Sequence, residues 1–175
     1  MVESAASLIG RQGVNATSFS EVLAASGAPR GSIYHHFPEG KEQLSEDAVR
    51  LTAERVVRYL EAGRATTPAG VLEHFVALWR KVVVDSGGAA GCAIAGVAVD
   101  SGRDAPVMAV VRAAFDSWIA LVAGQLAATG LAPARARAVA LVAVAALEGA
   151  LILCRAEGGP APLDAVAGEL DRLVR

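Results

Sequence analysis

Cysteine and aromatic side chains are both scarce in this 175-residue chain. The only cysteines, Cys92 and Cys154, stand far apart with no CxxC spacing, which excludes a disulfide framework and a dithiol or zinc motif. A chain without such bridges suits the cytosol, and that compartment is expected here. Aromatics make up 5% of the residues, so Ala, Val and Leu must fill any core. Alternating β-branched runs, the mark of half-buried strands, are missing as well. Charge of one sign is not in excess: 16 Lys and Arg face 18 Asp and Glu, for a net charge of −2. Residues 1–60 hold six basic against seven acidic side chains, so bulk charge draws nothing to phosphate. No basic segment followed by an apolar one opens the sequence. Met1–Gly10 carries Glu3 and reads as amphipathic helix, so export is not expected.

What is present is apolar and helical. Hydrophobic residues reach 54% and charged ones 19%, which excludes a disordered chain. Ala- and Leu-rich stretches punctuated by Gly and Pro predict an all-α fold of about nine helices, without internal repeats. Val2, Ala5, Ala6, Leu8 and Ile9 share one stripe of a first helix that Gly13 should stop. Ser18 stands three residues before Glu21, the spacing of a capping box, and predicts a helix from about Phe19 to Ala25. Gly27 permits a reversal, and Pro29 suits the first position of a helix to His36. Phe37-Pro38-Glu39-Gly40 ends that helix, and Lys41 opens a long one to about Leu60. Thr67-Pro68 reads as cap and first turn of a helix whose Val71, Phe75 and Trp79 form a buried face. Cys92–Val99, Asp104–Ala128, Pro133–Glu157 and Pro162–Val174 complete the set.

The second and third of these helices, joined by a Gly-containing turn, have the dimensions of a helix-turn-helix. Such a motif lays its second helix in the major groove of DNA. Gly31 and Ser32 are small enough for close approach, and Arg30 can pair with guanine or phosphate. Tyr34 and His35 can donate to phosphate oxygens. Lys41 sits in the first turn of the next helix, where its charge and the positive helix end both favour a phosphate. Thr17 and Ser18 can meet the DNA backbone in the same way. Ile33 and Phe37 are expected in the core.

The run Gly27-Ala28-Pro29-Arg30-Gly31-Ser32-Ile33-Tyr34-His35-His36-Phe37-Pro38-Glu39-Gly40-Lys41-Glu42-Gln43-Leu44 resembles the DNA-binding signature of the TetR family of repressors. It is most similar to the LmrA/YxaF-like branch, and Gly91-Cys92-Ala93-Ile94-Ala95 resembles a segment of that branch's C-terminal domain. The resemblance implies an N-terminal helix-turn-helix domain over residues 1–45. It implies a helical ligand-binding and dimerisation domain over 46–175. Carried over residue by residue, the DNA contacts are Thr17, Ser18, Arg30, Gly31, Ser32, Tyr34, His35 and Lys41. The implied partners are a palindromic double-stranded operator, a small-molecule effector of apolar character, and a second copy of the chain. Against the family pattern, Met1 falls inside the expected first helix, Leu23 replaces a small residue, and Glu39 adds negative charge near the phosphate surface.

In the C-terminal part, Phe75, Trp79, Met108, Phe115 and Trp118 are the large side chains among Ala, Val and Leu, and are the candidates to face a ligand. The helices 133–157 and 162–174 read as too apolar all round for a monomer surface and predict a four-helix dimer interface. Glu148, inside the first of them, calls for a partner such as Arg112, Arg135 or Arg137. The apolar stretch Ala138–Cys154 contains Glu148 and Gly149 and falls short of the roughly 20 residues of a bilayer span, so no membrane is expected. His35 and His36 are adjacent on a helix and point about 100° apart, so no metal site is expected, nor any cofactor. An enzyme is not expected either, because no Ser/His/Asp or Cys/His pairing, HExxH spacing, or phosphate-cradling Gly loop with a Lys occurs. The alternative is a helical dimer that acts through protein partners with a vestigial DNA-binding unit.

Overall fold

The computed structural model describes residues 1–103 and 105–175. Among them the chain is all-helical: α1 (Val2–Ala16), α2 (Phe19–Ser26), α3 (Ser32–His36), α4 (Lys41–Glu61), α5 (Pro68–Asp85), α6 (Ala93–Asp100), α7 (Val107–Ala128), α8 (Pro133–Glu157) and α9 (Ala161–Leu173). Two compact units are built from non-contiguous chain. The first is Met1–Glu54 with Gly91–Ala114, and the second is Arg55–Ala90 with Phe115–Arg175.

Most boundaries follow from local chemistry. Ser18 and Glu21 form the expected capping box at α2, and Gly27 ends that helix with φ 69°, a left-handed conformation that suits glycine. Thr67 caps α5 by accepting from the backbone N–H of Gly70 at 3.2 Å.

Gly13 interrupts the first helix as expected: with φ 80° and ψ 171° it is non-helical, and a further short helical stretch runs on to Ala16 across the kink. Three helix starts differ from the sequence-based expectation. Pro29 does not open α3, which begins at Ser32. The Pro29 carbonyl instead accepts from both the N–H (3.0 Å) and the hydroxyl (2.6 Å) of Ser32, so residues 29–32 form a tight turn ahead of the helix. α6 starts at Ala93 with Cys92 as its cap, and α9 starts at Ala161. α7 begins at Val107; the expected start at Asp104 lies outside the described residues.

In the first unit, α1 lies directly against α6. Gly10, Gly91 and Gly96 make this possible. A Cβ on Gly96 would stand 2.7 Å from the Ile9 carbonyl oxygen, and one on Gly10 or Gly91 would run into the other's backbone. Ala5, Ile9, Val22, Ile33, Phe37, Leu44 and Ile94 fill this unit's core, Ile33 and Phe37 as expected.

In the second unit, α5 packs on α8 and α9, and α8 on α9. Phe75, Leu72, Trp118, Leu126, Leu147 and Leu163 are almost fully buried there. α7 and α8 are each long and apolar enough to cross a membrane. α8 nevertheless buries one face, through Val139, Ala143, Leu147, Leu151 and Cys154. α9 is not apolar all round, contrary to the sequence reading. Leu163 and Leu170 are buried, while Glu169 pairs with Arg172 in a bridge exposed on both sides, and Asp164 pairs with Arg80 of α5. Its period is that of an amphipathic helix, and the short sequence window mixed its two faces.

Candidate nucleic-acid interface

The first unit presents α2, the turn and α3 in the order of a helix-turn-helix. α3 is only five residues long, and its inward side is anchored by Ile33, 1% exposed. Its outward side carries Tyr34, 74% exposed, a degree of exposure unusual for a large aromatic side chain. The Tyr34 ring stands edge-on to Phe19 of α2, with centroids 6.2 Å apart and planes at 84°, so the ring is oriented while its hydroxyl stays accessible. Arg30, Gly31 and His35 are exposed on the same turn and helix, and Ser32 is half-buried with its hydroxyl turned back to Pro29.

At the start of α2, Ser18 is exposed. Its N–H donates to the Glu21 carboxylate at 2.7 Å, its hydroxyl donates to the same oxygen at 2.8 Å, and the N–H of Glu21 donates back at 3.2 Å. These bonds hold the Glu21 carboxyl below the ordinary carboxylate range, the backbone bond from Ser18 first. Lys41, at the first turn of α4, donates from Nζ to the Asn15 carbonyl at 3.4 Å. That bond links the end of α1 to the start of α4.

Thr17 departs from its expected place. It is 2% exposed, and its hydroxyl donates to the Gly13 carbonyl at 2.7 Å, inside the kink. Its side chain therefore shapes the corner between α1 and α2 and does not face outward. Sequence reasoning placed it by its position beside Ser18. It could not register that the kink at Gly13 turns this side chain inward.

The candidate ligand residues separate. Phe75, Trp79, Phe115 and Trp118 lie in the second unit, and Met108 is half-buried on α7 in the first. Trp118 stands between the other two rings of its cluster, 5.9 Å from Trp79 at 60° and 5.7 Å from Phe115 at 90°. Phe75, Trp79 and Trp118 are buried and Phe115 half-buried. The Trp79 indole N–H is buried without a hydrogen-bond partner among the described residues. Two cavities in the second unit have other walls. One of about 510 Å³ lies between α5 and α9, beside Leu72, Val76 and Arg80. The other, about 330 Å³, is bordered by Gly63, His74, Gln125 and Thr129. Sequence reasoning missed His74, whose ring stacks on Tyr59 at 4.3 Å and 7° and whose Nε2 lies 2.9 Å from the Tyr59 carbonyl oxygen. In sequence His74 stands beside Glu73 on an amphipathic helix that also carries Arg80, Lys81 and Asp85, so nothing local sets it apart.

Residues 2–48 match the model of bacterial regulatory proteins of the tetR family, and residues 68–169 match that of the LmrA/YxaF-like transcriptional regulator C-terminal domain. The chain belongs to the TetR family. An uncharacterised HTH-type transcriptional regulator of Mycobacterium tuberculosis is 40% identical to this TetR-family chain over 180 residues, covering 99% of it and 92% of the relative. The HTH-type transcriptional regulator LmrA of Bacillus subtilis is 27% identical, covering 93% of this chain and 88% of its own. Among solved structures, a TetR transcriptional regulator from Legionella pneumophila shares the fold with a TM-score of 0.87 at 22% identity, over 99% of this chain and 95% of that one. A TetR transcriptional regulator from Chloroflexus aurantiacus matches with a TM-score of 0.74 at 29% identity, over 98% and 90%. This TetR-family chain is thus a transcriptional regulator with a helix-turn-helix DNA-binding domain, and the family is not one of enzymes.

Proposed function

We propose that this TetR-family regulator is a cytoplasmic repressor that binds a palindromic operator as a homodimer and leaves it when a small apolar effector binds. The observation that carries the DNA reading is the exposed row of Ser18, Arg30, Gly31, Tyr34 and His35 on one unit, with Lys41 at the head of α4. In this reading Tyr34, His35, Ser18 and Lys41 contact phosphate, while Arg30, Gly31 and Ser32 approach base edges. Thr17 holds the corner from which Ser18 projects.

The homodimer is proposed through α8 and α9, over residues 133–157 and 162–174. Leu141, Val142, Ile152 and Leu153 of α8 are between 48% and 69% exposed, and they recur at helical spacing. An apolar stripe of that kind favours burial against a second copy. Two recognition helices must then stand about 34 Å apart, one turn of DNA, to read both half-sites.

Phe75, Trp79, Phe115 and Trp118 are proposed to receive the effector. The apolar rings suit an apolar body, and the unpartnered N–H of Trp79 suits one hydrogen-bond acceptor on it. Met108, in the first unit, is not assigned to this cluster. Induction then requires that the effector favour the arrangement that cannot fit the operator, by its difference in affinity for the two.

The test is anisotropy titration of labelled duplex DNA from upstream of the protein's own gene, at several salt concentrations, with wild type, Tyr34→Ala and Lys41→Ala. Saturable binding that both substitutions weaken supports the reading. Equal affinity of all three proteins overturns it and favours a dimer that works through protein partners. An effector that leaves operator affinity unchanged at saturation removes the ligand-release step alone.

A further inference from the structure

Asp100 closes α6 at its C-terminal end, where a carboxylate meets the negative end of the helix dipole and is disfavoured. Its surroundings explain its presence. Asp100 Oδ2 accepts the backbone N–H of Asn15 at 3.0 Å, a bond between residues 85 apart in sequence. The same oxygen lies over Gly13, so close that a Cβ there would collide with it. Gly13 adopts φ 80° and ψ 171°, a conformation essentially restricted to glycine. The carboxylate thus sits against the kink that turns α1 toward α2.

The same corner is tied on its other sides to the DNA-facing elements. The Asn15 carbonyl accepts from Lys41 Nζ, the Gly13 carbonyl accepts from Thr17, and the Ala16 carbonyl accepts from Gln12 at 2.8 Å. Gln12 also donates to Glu21 at 3.1 Å, and Glu21 caps Ser18. Asn15 therefore receives Asp100 on its N–H and Lys41 on its carbonyl, so that the peptide units flanking one residue join α6 to α4. The α1–α6 contact through Gly10, Gly91 and Gly96 leaves α6 little freedom to follow the corner if this bond is lost.

We propose that Asp100 is a positioning residue for DNA binding: by bonding Asn15 N–H and bracing the Gly13 kink, it fixes where Lys41 and Ser18 stand against the phosphate backbone. Its effect is geometric, because a negative charge by itself opposes phosphate. The inference rests on the DNA-contact reading of Ser18 and Lys41.

The experiment uses full-length protein and a duplex recovered by selection from a random pool with the wild type. Binding is titrated against salt for Asp100→Ala, Asp100→Asn and Lys41→Ala, with the melting temperature and amide exchange of segment 13–18 measured in parallel. Asp100→Ala is expected to bind at least tenfold more weakly, with a shallower salt dependence from lost phosphate contacts and faster exchange in that segment. Asp100→Asn retains an acceptor oxygen and is expected to stay within threefold of wild type. A purely structural role predicts a lower melting temperature with unchanged affinity and salt slope for the folded protein. That result overturns the proposal. Should Asp100→Ala not fold, Asp100→Ser, whose hydroxyl is too short to reach Asn15, is expected to show the same loss, and wild-type binding by it overturns the proposal equally. If Lys41→Ala weakens binding and the Asp100 variants do not, this inference fails alone. If none of them has an effect, the DNA-contact reading fails with it.

Discussion

Ser18 and Glu21 satisfy each other's needs at the head of α2: the serine N–H and hydroxyl both donate to the carboxylate, and the hydroxyl accepts the glutamate N–H. The residue proposed to meet a phosphate is thus already held by an anion three positions away. Both Ser18 donors are spent on Glu21 in this box, so a phosphate contact requires the hydroxyl hydrogen to swing from Glu21 to the DNA while the two N–H bonds hold the serine in place.

Ser18→Ala removes the cap and is expected to lower stability by about 1 kcal/mol, the usual effect of a lost N-cap. Chemical denaturation monitored by circular dichroism reads it. Operator affinity should fall further than the stability change alone implies, because the start of α2 loses its fixed position.

The same box sets a pH dependence. Glu21 is held below the ordinary carboxylate range in the folded chain, chiefly by the Ser18 N–H. Its contribution is fully present above the unfolded-state pKa and is lost as pH falls through the lowered folded value. Glu21→Gln should therefore flatten the acid limb of the stability profile and leave the neutral-to-alkaline limb parallel to wild type. An unchanged acid limb counts against the box as a charged contact.

Gly13→Ala places a Cβ at φ 80° and ψ 171° and against Asp100. The backbone strain alone is expected to cost about 1–3 kcal/mol. Thermal melting of Gly13→Ala beside the single Asp100→Ala and the double variant separates the two causes. The double variant should recover the steric part and keep the strain.

Leu141→Glu and Ile152→Glu put charge into the exposed stripe of α8. If that stripe is the homodimer interface, both shift sedimentation from dimer to monomer. Operator affinity then falls because two half-sites are no longer read together. A dimer that persists in both variants moves the interface elsewhere.

Trp118 is fully buried and touches both Trp79 and Phe115. Truncation to Ala is expected to cost about 3–5 kcal/mol by lost burial and cavity formation. Trp79→Phe instead removes the unpartnered indole N–H while keeping a ring. It should be nearly neutral in stability, and should weaken an effector that relies on that donor.

Much of the fold was legible because its signals are local. The capping box at Ser18, Thr67-Pro68 at α5, Pro133 at α8 and the left-handed Gly27 and Gly158 each act within a few residues of where they stand. The resemblance over Gly27–Leu44 depends on the same kind of short spacing, which is why the family could be read before any coordinates. Pro29 misled for the same reason. Its preference for a first helical turn is real, but the carbonyl of Pro29 found a better use in the turn closed by Ser32.

Composition and short-range pattern by themselves determined an all-helical chain, the order of its helices, and which small motif carries the recognition helix. They act through backbone propensities and caps that span one turn. Only the tertiary structure decided that α6 belongs with α1, that Thr17 points inward, and that Asp100 reaches Asn15 across 85 positions. It also decided that α9 turns charge outward while α8 leaves apolar side chains exposed. Those outcomes depend on which surfaces meet in space. Gly10, Gly91 and Gly96 became the close contact of two helices, because their value lies in the backbone that approaches them.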